Sequence, residues 1–415
     1  MRKKTESSPG SRHRLIPWLL LVIAFGLRLA FLHATPDRIW PYSCYFKGDA
    51  LVFMRQAFDG ALLEEGAPFR PAGVALILAM IWDKTAEGFV WLRHVWILLG
   101  ALPAPLLYLL CRAPLGERVA LIAGGFLALA SGPMLIDSAL GSETPYLLLA
   151  VISIGWLQRL SQPAHWLQFV AFGALQGVGC LLRAEHLLFL PFALLWTVWQ
   201  RTPGLPRANS WQRIGAAVLA FGLTLLPWHL HAWNAIAKLN KEAQQQISYS
   251  LEWTADARQR LQALPAFAHF GTVRMLEDTV QVRGRNRVEV GDFGILQEAY
   301  DYIPEPLPSY PFLTLYGPLN FYLANHPDCG GGFSRRPLFA RPPMRGGLTQ
   351  YPLGLDQALP TELAPSYPPH LRILNHGYSL GISSILAAPG NWLSTAGEKL
   401  SRFWAGAASG LARFP

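Results

Sequence analysis

Between Leu15 and Leu230 the chain is a succession of apolar runs separated by short loops, several of which carry arginine. A helix of about twenty apolar residues crosses the roughly 30 Å of hydrocarbon in a bilayer. In lipid only helices and closed barrels satisfy their own backbone groups. The pattern therefore predicts an all-α polytopic membrane protein. With 52% hydrophobic and 15% charged residues, the chain is too apolar for an ordinary soluble protein and too interrupted to be membrane throughout. Its net charge of +9 sits beside the apolar runs instead of forming one stripe. That distribution is an orientation signal, and it sets nucleic-acid binding aside.

Leu15 to Ala34 follows Arg2, Lys3, Lys4, Arg12 and Arg14, which places the N-terminus in the cytoplasm. The run is long, carries Arg28 and lacks a small-x-small cleavage site, so it reads as an uncleaved first helix rather than a signal peptide. Ala72 to Trp82, after Arg70-Pro71, is too short to span and reads as an interfacial or re-entrant helix. Further spans are expected over Phe89 to Leu110, Val119 to Ile136, Thr144 to Leu157, Trp166 to Leu182, Leu187 to Trp199 and Ile214 to Leu230. The loops with Arg112 and Arg118, with Arg159, and with Arg201, Arg207 and Arg213 then face the cytoplasm. Asp137 to Glu143, which has no Lys or Arg, faces out with Asp49. Were the short run to cross, the arginine loops would lie outside, so the positive-inside rule selects about seven spans with an outward exit after His231.

Three regions follow from this reading. Residues 1–233 form a helical membrane module with a first outer loop at 35–88, residues 234–372 a water-exposed segment, and residues 373–415 an amphipathic interfacial tail. In the middle region Ala243 to Leu264 reads as helical and the proline-rich Asp301 to Tyr316 as an irregular loop. In the tail, Trp392, Leu393, Leu400, Phe403 and Trp404 alternate with Glu398, Lys399 and Arg402. No internal repeat of the inverted-transporter kind is visible. Cys44, Cys111, Cys180 and Cys329 have no metal spacing. Cys44 and Cys329 both fall on the oxidising side, where a disulfide can form.

On the outer side this topology gathers Asp49, Arg70, Asp137 with Glu143, and Arg183 with Glu185 and His186. Charges at the membrane edge are costly unless they line a wet cavity. Each has a bland reading as well: a carboxylate at a helix end caps it, and Arg183 snorkels. A carboxylate opposite an arginine suits a general base acting on an acceptor while the guanidinium neutralises a phosphate leaving group. The chain has no phosphate-cradling G-x-x-x-x-G-K-[ST] loop for a soluble nucleotide, so a lipid-linked phosphate donor fits better.

The order of these features resembles the C-type glycosyltransferases that use polyprenyl-phosphate sugars, the superfamily of protein O-mannosyltransferases and lipid A aminoarabinose transferases (glycosyltransferase family 39 and relatives). The pieces that carry the resemblance are Gly26-Leu27-Arg28-Leu29, Gly48-Asp49-Ala50 and Phe69-Arg70-Pro71-Ala72-Gly73. They continue with Gly116-Glu117-Arg118, Leu140-Gly141-Ser142-Glu143-Thr144-Pro145, Leu181-Leu182-Arg183-Ala184-Glu185 and Leu226-Pro227-Trp228. Gly317-Pro318-Leu319-Asn320-Phe321-Tyr322-Leu323-Ala324-Asn325 looks like an Asn-rich outer-loop motif. What the resemblance implies is an inverting sugar transfer from a polyprenyl-phosphate donor to an extracytoplasmic protein, lipid or glycan. The enzyme would sit in a bacterial inner membrane with its site facing the periplasm or outside. Asp49 would be the catalytic base, Arg70 and Arg183 the donor-phosphate ligands, and Asp137, Glu143 and Glu185 acids shaping the site. Asn320, Tyr322 and Asn325 would touch sugar or acceptor.

Some branches hold a divalent metal near these acids, and the ligand spacing here leaves that open. Two features depart from the family pattern. Its members continue with several more spans, so the chain is expected to be a fragment or a shortened member, and the first outer loop has one acidic residue where an Asp-Glu pair is usual. The alternatives are a transporter or flippase for a lipid-linked or anionic solute, with Arg183 and Glu185 as coupling charges, and a structural scaffold.

Overall fold

The computed structural model describes residues 12–34, 48–59, 70–160, 165–199, 207–241, 247–308, 313–327, 338, 363 and 367–412. They form two compact units. The first comprises Met1–Ala67, Pro71–Trp228 and Phe403–Pro415, the second Pro68–Arg70 and His229–Arg402.

The first unit is built from α1 (Arg12–Ala34), α2 (Gly48–Asp59), α3 (Gly73–Ile81), α4 (Ala86–Ala101), α5 (Pro103–Leu115), α6 (Glu117–Leu129), α7 (Ser131–Ser138), α8 (Glu143–Leu160), α9 (Trp166–Leu182), α10 (Phe189–Trp199) and most of α11 (Arg207–Lys241). Helix starts and stops follow local chemistry. Asp83 accepts from Thr85 N at 3.0 Å and Thr85 Oγ1 at 2.7 Å, and Thr85 Oγ1 in turn accepts from Gly88 N at 2.9 Å as the α4 cap. Those two hydrogen bonds hold the Asp83 carboxyl below its ordinary range. Gly116, at φ 82°, makes the tight reversal that lays α6 against α5, a backbone angle that side-chain-bearing residues avoid.

Among the described residues, three stretches are long and apolar enough to cross a membrane: Leu15–Ala34, Ala86–Leu115 and Trp211–Lys241. Only 22% of the first is buried inside the protein, leaving Trp18, Leu19 and Val22 exposed. So continuous an apolar face on a helix of this length suits contact with lipid. The chain is thus an all-α protein with membrane-spanning helices. The expected span Val119 to Ile136 is two helices, α6 and α7, bent by 44°. α9, of 17 residues, coincides with its expected span, and it and the apolar stretch Ala184–Trp196 are shorter than the three long stretches above.

Inside the unit, small residues bring backbones together. Ala24, Ala101, Ala104 and Ala128 form one contact cluster. Gly173 and Gly177, four apart on α9, lie flush on α11, where a Cβ on Gly173 would strike the Ala217 carbonyl and one on Gly177 the Thr224 side chain. This is the close packing membrane helices use in place of a hydrophobic driving force. Gly173→Val is therefore expected to push α9 off α11 and destabilise the protein by about 1 to 3 kcal/mol. Gly125→Val, at a glycine where an added Cβ meets nothing within 4 Å, is the matched control. Thermal unfolding in detergent compares them, and equal midpoints would refute the packing.

The second unit surrounds a core of Ile236, Trp253, Leu261, Leu276, Val280, Phe293, Leu296, Leu319, Leu323, Leu371 and Leu374. Its elements are β1 (Glu252–Trp253), α12 (Ala255–Gln262), α13 (Ala266–Val282), β2 (Arg287–Val288), α14 (Gly294–Tyr300), α15 (Tyr316–Asn325), α16 (Pro368–Ala387) and the first part of α17 (Pro389–Ala412). β1 and β2 pair in parallel. The buried Glu277 carboxylate accepts from Ser250 N, Leu251 N and Trp253 Nε1, which fixes the approach to β1. The expectation of a helix from Ala243 is therefore corrected over the described part: these backbone donors belong to a carboxylate, and helix begins only at Ala255 under its Thr254 cap.

The proline-rich stretch after α14 is irregular where described, as expected, yet it is firmly held. Arg372 donates to Asp301 at 3.1 Å, Asn375 to Tyr302 Oη at 2.9 Å and to the Pro306 carbonyl at 3.0 Å, and His376 pairs with Glu305. Gly317 to Asn325, read as an outer-loop motif, is helix α15. Pro318 sits in its first turn, where a missing N–H costs nothing. Gly377 of α16 packs flush on the Pro318 carbonyl. α16 itself begins before the expected tail and belongs to this core.

Candidate functional site

α9 ends at Leu182, and Arg183 adopts an extended backbone before a short 3-10 turn, Ala184–Leu188, leads into α10. Gly73 at the start of α3 lies flush on the Leu181 carbonyl, so the end of α9 is pinned against α3. Glu143 opens α8 just after a turn in which Leu140 takes φ 53° and Gly141 N donates to the Ile136 carbonyl at 3.1 Å. Two chain reversals thus face each other. Arg183 Nη1 pairs with Glu143 and reaches Ser142 Oγ at 3.4 Å, while Nη2 reaches Glu185 at 3.4 Å. The guanidinium carbon lies 5.9 Å from the Tyr146 ring centroid. The side chains of Arg183, Glu143 and Glu185 are 28%, 48% and 64% exposed, so all three meet water.

Asp49 lies in the first turn of α2 with an exposed side chain. A carboxylate there complements the positive end of the helix. α2 packs on α3, and Phe58 meets Trp82 with ring centroids 5.6 Å apart, so the two helices run the same way. The Gly73 end of α3 is the one pinned to Leu181 of α9.

Next to this cluster, α3, α4, α8 and α9 enclose an apolar groove of about 340 Å³ lined by Ile77, Leu99, Pro145, Leu149, Leu175 and Leu182, among others. Leu182 immediately precedes Arg183 and Pro145 lies two residues after Glu143, so the groove's lining adjoins the charged turns in sequence.

Asp137 is a correction. Expected among outward charges lining a wet cavity, it is buried in α7: Arg28 Nε donates to Asp137 Oδ2 at 2.7 Å and Thr144 Oγ1 to Oδ1 at 2.6 Å. Arg28 also donates to the Ala24 and Ala128 carbonyls, tying α1, α6 and α7 together. A carboxylate so enclosed holds the bundle and does not meet water.

Arg70 belongs to the second unit, 5.0 Å from the Tyr316 ring centroid. Asn320, Tyr322 and Asn325, expected in a loop, lie on α15. Asn320 is exposed, and Tyr322 packs against the core of the second unit. The Asn325 amide is already engaged, accepting from Trp392 Nε1 at 2.9 Å and donating to the Phe321 carbonyl at 2.8 Å. Cys44 and Cys329 lie outside the described residues, and no group of three metal-ligating side chains comes together among those that are described.

The sequence reading passed over Tyr146, Gln176 and Ser153, which stand behind Arg183 through His186. The available signal was Gln176, an amide in the middle of an apolar helix, where a polar group needs a partner. No family model matches this chain, and neither a curated protein nor a solved structure matches it.

Proposed function

We propose that this chain is a membrane glycosyltransferase that moves a sugar from a polyprenyl-phosphate donor to an acceptor on the outer side of the membrane, with inversion and with about seven passes through the bilayer. The observation that carries this reading is an apolar groove whose lining includes Leu182, the residue before Arg183. In this reading part of a prenyl chain would lie along the apolar groove and its phosphate would be taken by the guanidinium. Glu143 and Glu185 do not bar that exchange, because water-exposed ion pairs are worth only about 0 to 1 kcal/mol. Phosphate, like carboxylate, can take the guanidinium in a bidentate pair.

In this reaction the acceptor oxygen attacks the anomeric carbon on the face opposite the phosphate. Its proton passes to Asp49, and the bond from carbon to phosphate oxygen breaks with its electron pair staying on the phosphate, where Arg183 neutralises it. Arg70, Asn320, Tyr322 and Asn325 enter this reading through the family resemblance alone.

Arg183→Ala is expected to weaken donor use by on the order of 1.5 to 3 kcal/mol, roughly a tenfold to hundredfold rise in donor KM. Steady-state kinetics with a purified polyprenyl-phosphate sugar measure it. An unchanged KM would return Arg183 to a snorkelling surface charge.

A second reading, a transporter or flippase, draws on the 44° bend between α6 and α7, since broken helices at membrane depth serve such proteins. It predicts movement of the intact lipid-linked solute with no new glycosidic bond.

A further inference from the structure

Behind Arg183 runs a series of buried polar groups that the reaction above leaves unused. Ser153, Gln176 and His186 are all at most 1% exposed. Gln176 Nε2 donates to the Phe172 carbonyl at 3.2 Å and to Ser153 Oγ at 3.3 Å. A backbone carbonyl only accepts, so the amide nitrogen must point there and Oε1 must face His186 Nε2, 2.7 Å away. Oε1 only accepts in its turn, so Nε2 carries the imidazole hydrogen. Nδ1 of the neutral ring is then an acceptor, and the Tyr146 hydroxyl at 3.3 Å donates to it. A single carbonyl thus orders the hydrogens as far as the phenol.

Packing enforces the same arrangement. The His186 ring stacks on Phe189 with centroids 5.2 Å apart and meets Tyr146 edge-on at 5.4 Å. Gly179 leaves no space behind it, for a Cβ there would strike the imidazole. Tyr146 is therefore the rigid neighbour of Arg183, whereas Glu143 and Glu185 are exposed to water. A satisfied buried network of this kind rigidifies what it touches.

We propose that His186 is a positioning residue for Arg183: by fixing the Tyr146 ring it sets how the guanidinium is presented to a lipid-linked phosphate. This rests on the donor reading given above. It separates two tasks at one site, with Arg183 binding the phosphate and the Tyr146–His186–Gln176 series holding Arg183 in place.

The test is binding of farnesyl phosphate, a short prenyl phosphate, to the full chain purified in detergent, followed by titration calorimetry. Tyr146→Phe and His186→Phe keep an aromatic ring but break the series, and each should weaken binding about five- to tenfold. His186→Gln keeps a donor and an acceptor and should stay within about twofold of the parent protein. In an Arg183→Ala background, Tyr146→Phe should have no further effect, since coupled residues do not add. Parent-like affinity of Tyr146→Phe and His186→Phe would overturn the inference while leaving the donor reading standing. A folded parent protein that does not bind farnesyl phosphate would overturn both. Should His186→Phe fail to fold, Tyr146→Phe, which removes only a hydroxyl, decides alone.

Discussion

Alanine in place of Asp137 is expected to destabilise the folded chain by about 3 to 5 kcal/mol, the usual cost of leaving a buried charge without its partner. The side chains of Arg28 and Asp137 are 0% and 4% exposed, so water cannot replace the lost carboxylate. The remaining Arg28 contacts, to the Ala24 and Ala128 carbonyls, supply no counter-charge. Combining Arg28→Met with Asp137→Asn should recover most of the loss, because it removes both charges and keeps an acceptor for Thr144. Unfolding midpoints in detergent, followed by tryptophan fluorescence, measure both variants. An Asp137→Ala protein as stable as the parent would show that the pair does not hold α1 to α7.

Asp49→Asn has the opposite profile. Asparagine keeps the shape and removes the base, so transfer should fall by about two to four orders of magnitude. The lost charge at the α2 N-terminus should cost only about 0.3 to 1 kcal/mol. Circular dichroism and unfolding midpoints would then match the parent closely while turnover disappears. Normal turnover by this variant would remove Asp49 from the chemistry and leave it a helix-end charge.

The contrast between these two acids marks what the sequence made legible. Local signals were readable: the end of α9 at Leu182, the short helix after Arg70-Pro71 and the irregular course of the proline-rich stretch each follow from residues within a few positions. The pairing of Asp137 with Arg28 was not, because the partner lies 109 residues away and neither residue's neighbours point to it. α15 was hidden by Gly317-Pro318, a turn signal that serves here as a helix start packed under Gly377. α16 escaped notice because Asn375, His376 and Gly377 interrupt its apolar residues, and those interruptions hold the loop after α14 and seat α15. The charged cluster was legible as a set of residue types, and its buried support through Tyr146, His186, Gln176 and Ser153 was not, since that depends on three segments meeting.

The most direct test of the central claim is transfer of a radiolabelled sugar from polyprenyl-phosphate carriers in membranes that express this chain, with membranes lacking it as the baseline. The account predicts label moving into an acceptor fraction only when the chain is present, with polyprenyl phosphate released in equal amount. Folded chain in the membrane, a series of donor sugars supplied in excess, and no label transferred from any of them would contradict it.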